Sequence, residues 1–211
     1  MEDPHDGELV WGVAARAIPG EEQCGDGAHA AVTGTGWLLA AADGLGHGQE
    51  AAIASTAFMN VVQQHPEKQP AELIRLCHDA LRNTRGCAGT IVTIERKRRL
   101  LSWAGVGNVE GVLLHAGPAS RRADYITLRG GIIGYRLPEL QTSSIFLLDG
   151  DILILATDGI ASDFVHAVAL QYSPGELARY ILDRYGKATD DALVLTARWR
   201  VALPQQGGLS S

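Results

Sequence analysis

The stretch that most constrains this chain is Gly36 to Ser55, which reads Gly-Trp-Leu-Leu-Ala-Ala-Ala-Asp-Gly-Leu-Gly-His-Gly-Gln-Glu-Ala-Ala-Ile-Ala-Ser. The unbroken apolar run Trp37 to Ala42 predicts a strand buried on both faces. That strand ends at Asp43, and the turn containing Gly44, Gly46 and Gly48 leads into a helical pattern from about Gln49. An ionised carboxylate at the edge of a core must be hydrogen-bonded, paired or metal-bound. Glycines beside it let the backbone take positive φ and let a ligand approach closely. Taken alone, a tight Asp-Gly turn whose acid caps the next helix is the simpler reading.

The motif does not stand alone. Ile152-Leu-Ile-Leu-Ala-Thr-Asp158-Gly159 repeats the arrangement, with an apolar strand, Asp-Gly and then helix-like sequence. Thr189-Asp190-Asp191 sets a carboxylate pair directly before the last predicted strand, Leu193 to Val201, and the acidic turn Gly20 to Asp26 precedes another apolar segment. Strands that brought Asp26, Asp43, Asp158 and Asp190 together would crowd negative charge and drive carboxyl pKa values up, a conflict that a divalent cation removes. Oxygen ligands without His or Cys select Mg²⁺ or Mn²⁺ over Zn²⁺. Two such ions, typically ~3.5 to 4 Å apart, clamp an in-line displacement at phosphorus. From these residues alone, a two-metal hydrolase, a structural acidic cluster and unrelated solvated turns all remain open.

The rest of the chain supplies the frame. Leu9 to Ile18 reads as a first strand, stopped by Pro19 and Gly20. A helix from about Gln49 to Gln64 carries Ile53, Ala57 and Val61 at helical spacing, with Phe58 and Met59 widening the stripe, and stops at Pro66. A second opens at Pro70 with Leu73, Leu76, Ala80 and Leu81 on one face. These two helices are expected to cover one face of a sheet. Thr90 to Glu95 and Leu100 to Val106 flank the basic turn Arg96 to Arg99 as a hairpin, and Val109 to His115 makes a further strand. Gly117 to Asp124 reads as a polar loop. Asp149-Gly-Asp151 predicts a hairpin into Ile152 to Ala156, and Ser173-Pro-Gly-Glu176 is a capping box opening a helix to about Tyr185.

At 211 residues the chain fits one domain, expected over 9–201, with tails at 1–8 and 202–211. A net charge of −6 argues against affinity for nucleic acid or an anionic membrane. Cys24, Cys77 and Cys87 are odd in number and lack metal-ligand spacing, which suits a reducing cytoplasm. The acidic, polar start of the chain is unlike a signal peptide, and no apolar run reaches membrane-spanning length. A monomer is expected.

The ordered set Cys24-Gly-Asp26, Ala42-Asp-Gly-Leu-Gly-His-Gly48, Gly89-Thr90, Gly105-Val-Gly-Asn108, Ala156-Thr-Asp-Gly159 and Thr189-Asp-Asp191 resembles the motif series of the PPM family. These are metal-dependent, protein phosphatase 2C-like serine/threonine phosphatases. The Asp-Gly-Leu-Gly-His-Gly form and the compactness are similar to the bacterial SpoIIE-like branch, and within it to the small RsbX type, phosphatases of the stressosome. The resemblance implies an αββα sandwich of two antiparallel sheets flanked by helices. It implies two divalent cations, Mn²⁺ or Mg²⁺, with Asp43 bridging both, the Gly44 carbonyl and Asp26 on one side, and Asp158 and Asp190 on the other. A metal-activated water would then hydrolyse phosphoserine or phosphothreonine on a partner protein, such as a stressosome scaffold, without a phosphoenzyme. Gly89 and Thr90 would begin a core strand behind the site.

The chain also departs from the family pattern. No Arg directly precedes the first acidic motif, the nearest being Arg16, and His47 follows Asp43 by four positions where relatives place a His at two. His47 is a candidate general acid or simply a turn residue. Asn108 reads as a turn-stabilising amide and Asp191 as a capping or supporting group. Two alternatives stand beside the phosphatase: a catalytically silent binding module of the same fold, and a metal-dependent hydrolase of small phosphate esters.

Overall fold

The computed structural model describes residues 7–116, 122–168 and 171–201. Two antiparallel five-stranded sheets lie face to face. One is built from β2 (Asp26–Val32), β3 (Gly36–Gly44), β4 (Cys87–Glu95), β5 (Leu100–Val106) and β8 (Ser143–Phe146), in that order. The other runs β1 (Gly7–Arg16), β10 (Ala192–Val201), β9 (Ile152–Ala156), β6 (Glu110–Leu114) and β7 (Ala123–Tyr125). Helices α1 (Gln49–Gln64) and α2 (Pro70–Ala80) pack on the β2–β8 sheet, and α3 (Pro174–Tyr185) packs on β1 and β10. This is the expected αββα sandwich. Among the described residues no helix is long and apolar enough to cross a membrane.

Strand periodicity divides the core into three layers. In β3, Trp37, Leu39 and Ala41 face the opposite sheet, while Leu38, Ala40 and Ala42 face the helices, so both faces are buried as the unbroken apolar run requires. In β9 and β10, Leu153, Leu155, Leu193 and Leu195 fill the same middle layer, where Trp199 meets Trp37 edge to face at 5.6 Å. Ile152, Ile154, Ala192 and Val194 turn outward to α3, whose Leu177, Ala178 and Ile181 complete the third layer. The capping box at Ser173 is formed: its side chain accepts from the Glu176 amide and the Glu176 carboxylate accepts from the Ser173 amide.

Several expectations are corrected. Helix α1 has the bounds read from sequence but buries Ala51, Ala54, Ser55, Phe58 and Val62, leaving Ile53 46% exposed. The face was set by small residues, because a Cβ on Gly44 would collide with the Ala51 carbonyl, so only a helix face of Ala and Ser can lie this close to β3. Helix α2 buries Leu73, Ile74 and Cys77 and leaves Ala80 exposed. Asp149–Asp151 does not join a hairpin: β8 pairs β5 in one sheet and β9 pairs β6 and β10 in the other. The turn is a crossover, pinned by Asp151, whose carboxylate accepts from the Leu148 and Ala116 amides and meets His115 Nδ1 at 3.0 Å. Gly7 and Glu8, expected in the tail, belong to β1. Residues 1–6 and 202–211 of the expected tails, and 117–121 of the polar loop, lie outside the described residues.

Candidate metal centre

The periodicity that builds the middle layer also aims its acids. On β3, Asp43 continues the inward row Trp37, Leu39, Ala41, and on β2, Asp26 begins the inward row that includes Ala28 and Ala30. The β2–β3 register sets Asp26 directly opposite Asp43, so two carboxylates share one face of adjacent strands. Like charges so placed repel, and β-sheet pairing alone gives nothing to offset that. Strands β9 and β10 end and begin at the same edge of the sandwich, delivering Asp158 and Asp190 from the opposite sheet. An open cavity of about 460 Å³ is lined there by Asp43, Asp158 and Asp190, with Gly46, His47 and Asn108.

The electrostatics carry the strain of this convergence. Burial pushes the Asp26 carboxyl up to about 8, with the charges of Asp43, Asp191 and Asp158 adding to it and a hydrogen bond from Thr157 opposing it. Burial likewise raises Asp43 to about 7, helped by the charge of Asp158 and opposed by the Asn108 amide. These are carboxylates short of positive charge. Among the described residues, no three His, Cys, Asp or Glu side chains close on one point as a ready-made cage. That arrangement suits Mg²⁺ or Mn²⁺, which take one or two carboxylates at a time and complete their shells with water and carbonyl oxygens.

Three residues whose importance the sequence reading missed or underweighted hold the acids in place. Thr157 joins the two sheets: its hydroxyl donates to Asp26 Oδ2 at 2.7 Å and accepts from the Leu193 amide at 2.9 Å. Asn108, read as a turn amide, instead donates to Asp158 Oδ2 at 2.6 Å and to Asp43 Oδ2 at 3.3 Å, tying one acid of each sheet to the other. Asp191, read as a capping or supporting group, is 3% exposed, and its two oxygens accept from the Ile18 and Gly25 amides, each at 2.8 Å. It thereby anchors the loop that ends in Asp26. The quoted motifs contained all three residues, but only the pairing of the two sheets assigns their partners.

The remaining candidates fall as follows. The Gly44 amide donates to the Gly25 carbonyl at 3.2 Å, which places Gly44 beside the Asp26 loop. His47 Nδ1 lies 2.9 Å from Glu21 Oε1 at the exposed rim of the cavity, a pairing across 26 residues that no local spacing reveals. Arg16 Nη2 donates to the Lys187 carbonyl at 3.2 Å. Thr90 is fully buried on β4 and donates to the Val109 carbonyl, a core strand position as expected. Burial raises the Cys24 thiol to about 11, far from nucleophilic at neutral pH.

Comparison with known proteins follows the same residues. The phosphoserine phosphatase RsbX of Bacillus subtilis (strain 168) is 28% identical over 141 residues, covering 67% of this chain and 69% of RsbX. A structure from work on the bacterial stressosome as a modular system adapted to control secondary messenger signalling is 31% identical, covers 90% of this chain and 100% of its own, and superposes with a TM-score of 0.82. Crystalline RsbX in complex with magnesium gives a TM-score of 0.79 at 23% identity, over 94% of this chain and 98% of that one. The catalytic domain of the serine/threonine phosphatase PstP with two manganese ions shares the fold at a TM-score of 0.72 and 19% identity, over 92% and 99% of the two chains. Residues 33–200, which hold all three acids that line the cavity, match the family of Stage II sporulation protein E, and the chain belongs to that SpoIIE family.

Proposed function

We propose that this chain is a metal-dependent phosphoprotein phosphatase that removes phosphate from phosphoserine or phosphothreonine of a partner protein, with a stressosome component as the substrate. The observation that carries this reading is the convergence of Asp43 on one sheet with Asp158 and Asp190 at the facing edge of the other around one open cavity, with Asp26 buried directly opposite Asp43. Family membership and the similarity to a phosphoserine phosphatase support the reaction class. The stressosome-associated relative supports the partner. The catalytic domain is assigned to residues 7–201, since β1 begins at Gly7, and three free cysteines among the described residues support a cytoplasmic setting.

In this reading Asp43, Asp26, the Gly44 carbonyl, Asp158 and Asp190 would hold two divalent cations, with Asp43 serving both, Asp26 and Gly44 on its own sheet serving one, and Asp158 and Asp190 from the facing sheet serving the other. When bound, such ions lower the pKa of a coordinated water to near neutrality and neutralise charge on a phosphoryl group. The chain's own part is to hold the acids at fixed separation. Thr157 and Asn108 supply hydrogen bonds across the sandwich, and Asp191 fixes the loop that presents Asp26. His47, whose Nδ1 lies 2.9 Å from Glu21 at the rim, is the candidate for handing a proton to the departing serine or threonine oxygen. The openness of the cavity favours a protein-borne phosphate over a small ester, which would be held in an enclosed pocket.

The test is phosphate release from phosphoserine and phosphothreonine proteins, stressosome scaffolds included, with Mn²⁺, Mg²⁺ or chelator. Metal-dependent release by the wild type that Asp43→Asn abolishes is the expected result. A folded, metal-binding wild type that releases nothing with either ion would instead make the chain a silent binding module.

A further inference from the structure

We propose that Arg85 binds the phosphate group of the substrate, an inference that rests on the phosphatase reading above. A phosphate dianion entering this cavity meets Asp43, Asp158 and Asp190, and the described residues that line the cavity include no Lys or Arg. Arg16 and Lys187, which lie near it, are committed: Arg16 donates to the Lys187 carbonyl, and Lys187 Nζ donates to the Asp158 carbonyl at 2.6 Å. Arg85 differs. It is exposed and makes no side-chain hydrogen bond or ion pair among the described residues, yet its Nη1 lies 2.9 Å from the point that a Cβ on Gly46 would occupy. Gly46 lines the cavity three residues after Asp43, and its φ of +89° together with its missing side chain leaves the guanidinium room at the mouth.

The backbone that carries Arg85 is fixed on both sides. The Thr84 hydroxyl donates to the Leu81 carbonyl and accepts from the Gly86 amide, closing the end of α2. The Gly86 carbonyl accepts from the Leu45 amide at 3.1 Å, and Gly86 packs so tightly on Ile132 and Ile133 that a Cβ there would lie 2.8 Å from Ile132 Cγ2. Leu45 and Ile132 both line the cavity. Arg85 is therefore held between two walls of the site, with its fork of donors free to meet two phosphate oxygens at once. Lysine in its place would keep the charge and lose the bidentate geometry.

The test is steady-state kinetics of the Mn²⁺-loaded full chain on a phosphoserine peptide, with inorganic phosphate as product inhibitor, for wild type, Arg85→Ala, Arg85→Lys and Arg82→Ala. Arg82 lies in the same segment but is paired with Asp79, and so serves as the control. Loss of a charge-assisted bidentate contact is expected to raise KM and the phosphate inhibition constant by about tenfold to a hundredfold, with a smaller fall in kcat. Arg85→Lys recovers part of this, Arg82→Ala behaves as wild type, and Mn²⁺ affinity measured by calorimetry stays unchanged in all four. An active wild type matched within about twofold by Arg85→Ala in both constants overturns the assignment of Arg85 alone, as does a parallel loss of Mn²⁺ affinity. A wild type without metal-dependent release overturns the phosphatase reading, and this inference with it.

Discussion

Replacing Asp191 tests whether the site is held together from behind. Its two oxygens take the Ile18 and Gly25 amides at 2.8 Å each, in a position 3% exposed to solvent. A hydrogen bond to a charged group contributes about 1.5 to 3 kcal/mol, and a buried donor left without a partner costs about as much. Against this, Asp191 adds to the repulsion that raises Asp26 and Asp43, so its removal also relieves some charge. The hydrogen bonds should win, because they are direct while the repulsion is only one of several contributions behind burial. Asp191→Ala is expected to cost about 3 kcal/mol, the lower end for two bonds once water and charge relief are allowed for. For a chain of this size that is a fall in melting temperature of about 6 to 12 °C. Asp191→Asn keeps one acceptor oxygen and should lose about half as much. The assay is thermal and urea unfolding of metal-free protein, with Asp190→Asn, whose side chain meets only the Asp191 amide among the described residues, as the small-effect comparison. If Asp191→Asn melts higher than wild type, charge relief outweighs hydrogen bonding and the anchoring argument is wrong.

Stability of the metal-free chain should fall as pH rises. Asp26 and Asp43 have folded pKa values of about 8 and about 7, above their unfolded values near 3.8, so the penalty is absent below pH ~4 and complete above pH ~8. Unfolding at pH 5 and pH 8 with and without Mn²⁺ reads this directly, and a metal-free chain more stable at pH 8 would refute it. His115, between Asp124 and Asp151, has a pKa above the ordinary 6.5, so its ionic contribution is full below that value and is lost as pH rises through the raised one. His115→Ala should therefore cost more stability at pH 5.5 than at pH 9. Ser173→Ala removes the cap of α3 and should cost about 1 kcal/mol, or about 2 to 4 °C in melting temperature, with catalysis intact.

What could be read from the sequence and what could not divide along physical lines. Asp43 and Asp158 were legible because an apolar strand ending in Asp-Gly is a local signal; the alternation of short strands and turns marked a strand-rich chain, and the αββα sandwich came from the family resemblance. The capping box at Ser173 and the bounds of α1 were equally local. On α1, Phe58 is buried and Ala57, Met59 and Val61 pack against the core as expected, but Ile53 is exposed, because periodicity weighs large side chains whereas the packing against Gly44 selects Ala51, Ala54 and Ser55. The Asp149–Asp151 hairpin failed because a tight turn specifies a reversal and not the sheet that receives the next strand. Thr157, Asn108 and Asp191 find their partners 131, 50 and 166 residues away, at separations no local pattern encodes.

The most direct measurement of the central claim is the stoichiometry of Mn²⁺ binding by calorimetry for wild type, Asp43→Asn and Asp190→Asn. The account predicts two ions in the wild type, neither bound at wild-type affinity in Asp43→Asn because that carboxylate serves both, and one retained in Asp190→Asn. Two ions bound by Asp43→Asn with wild-type affinity would contradict it.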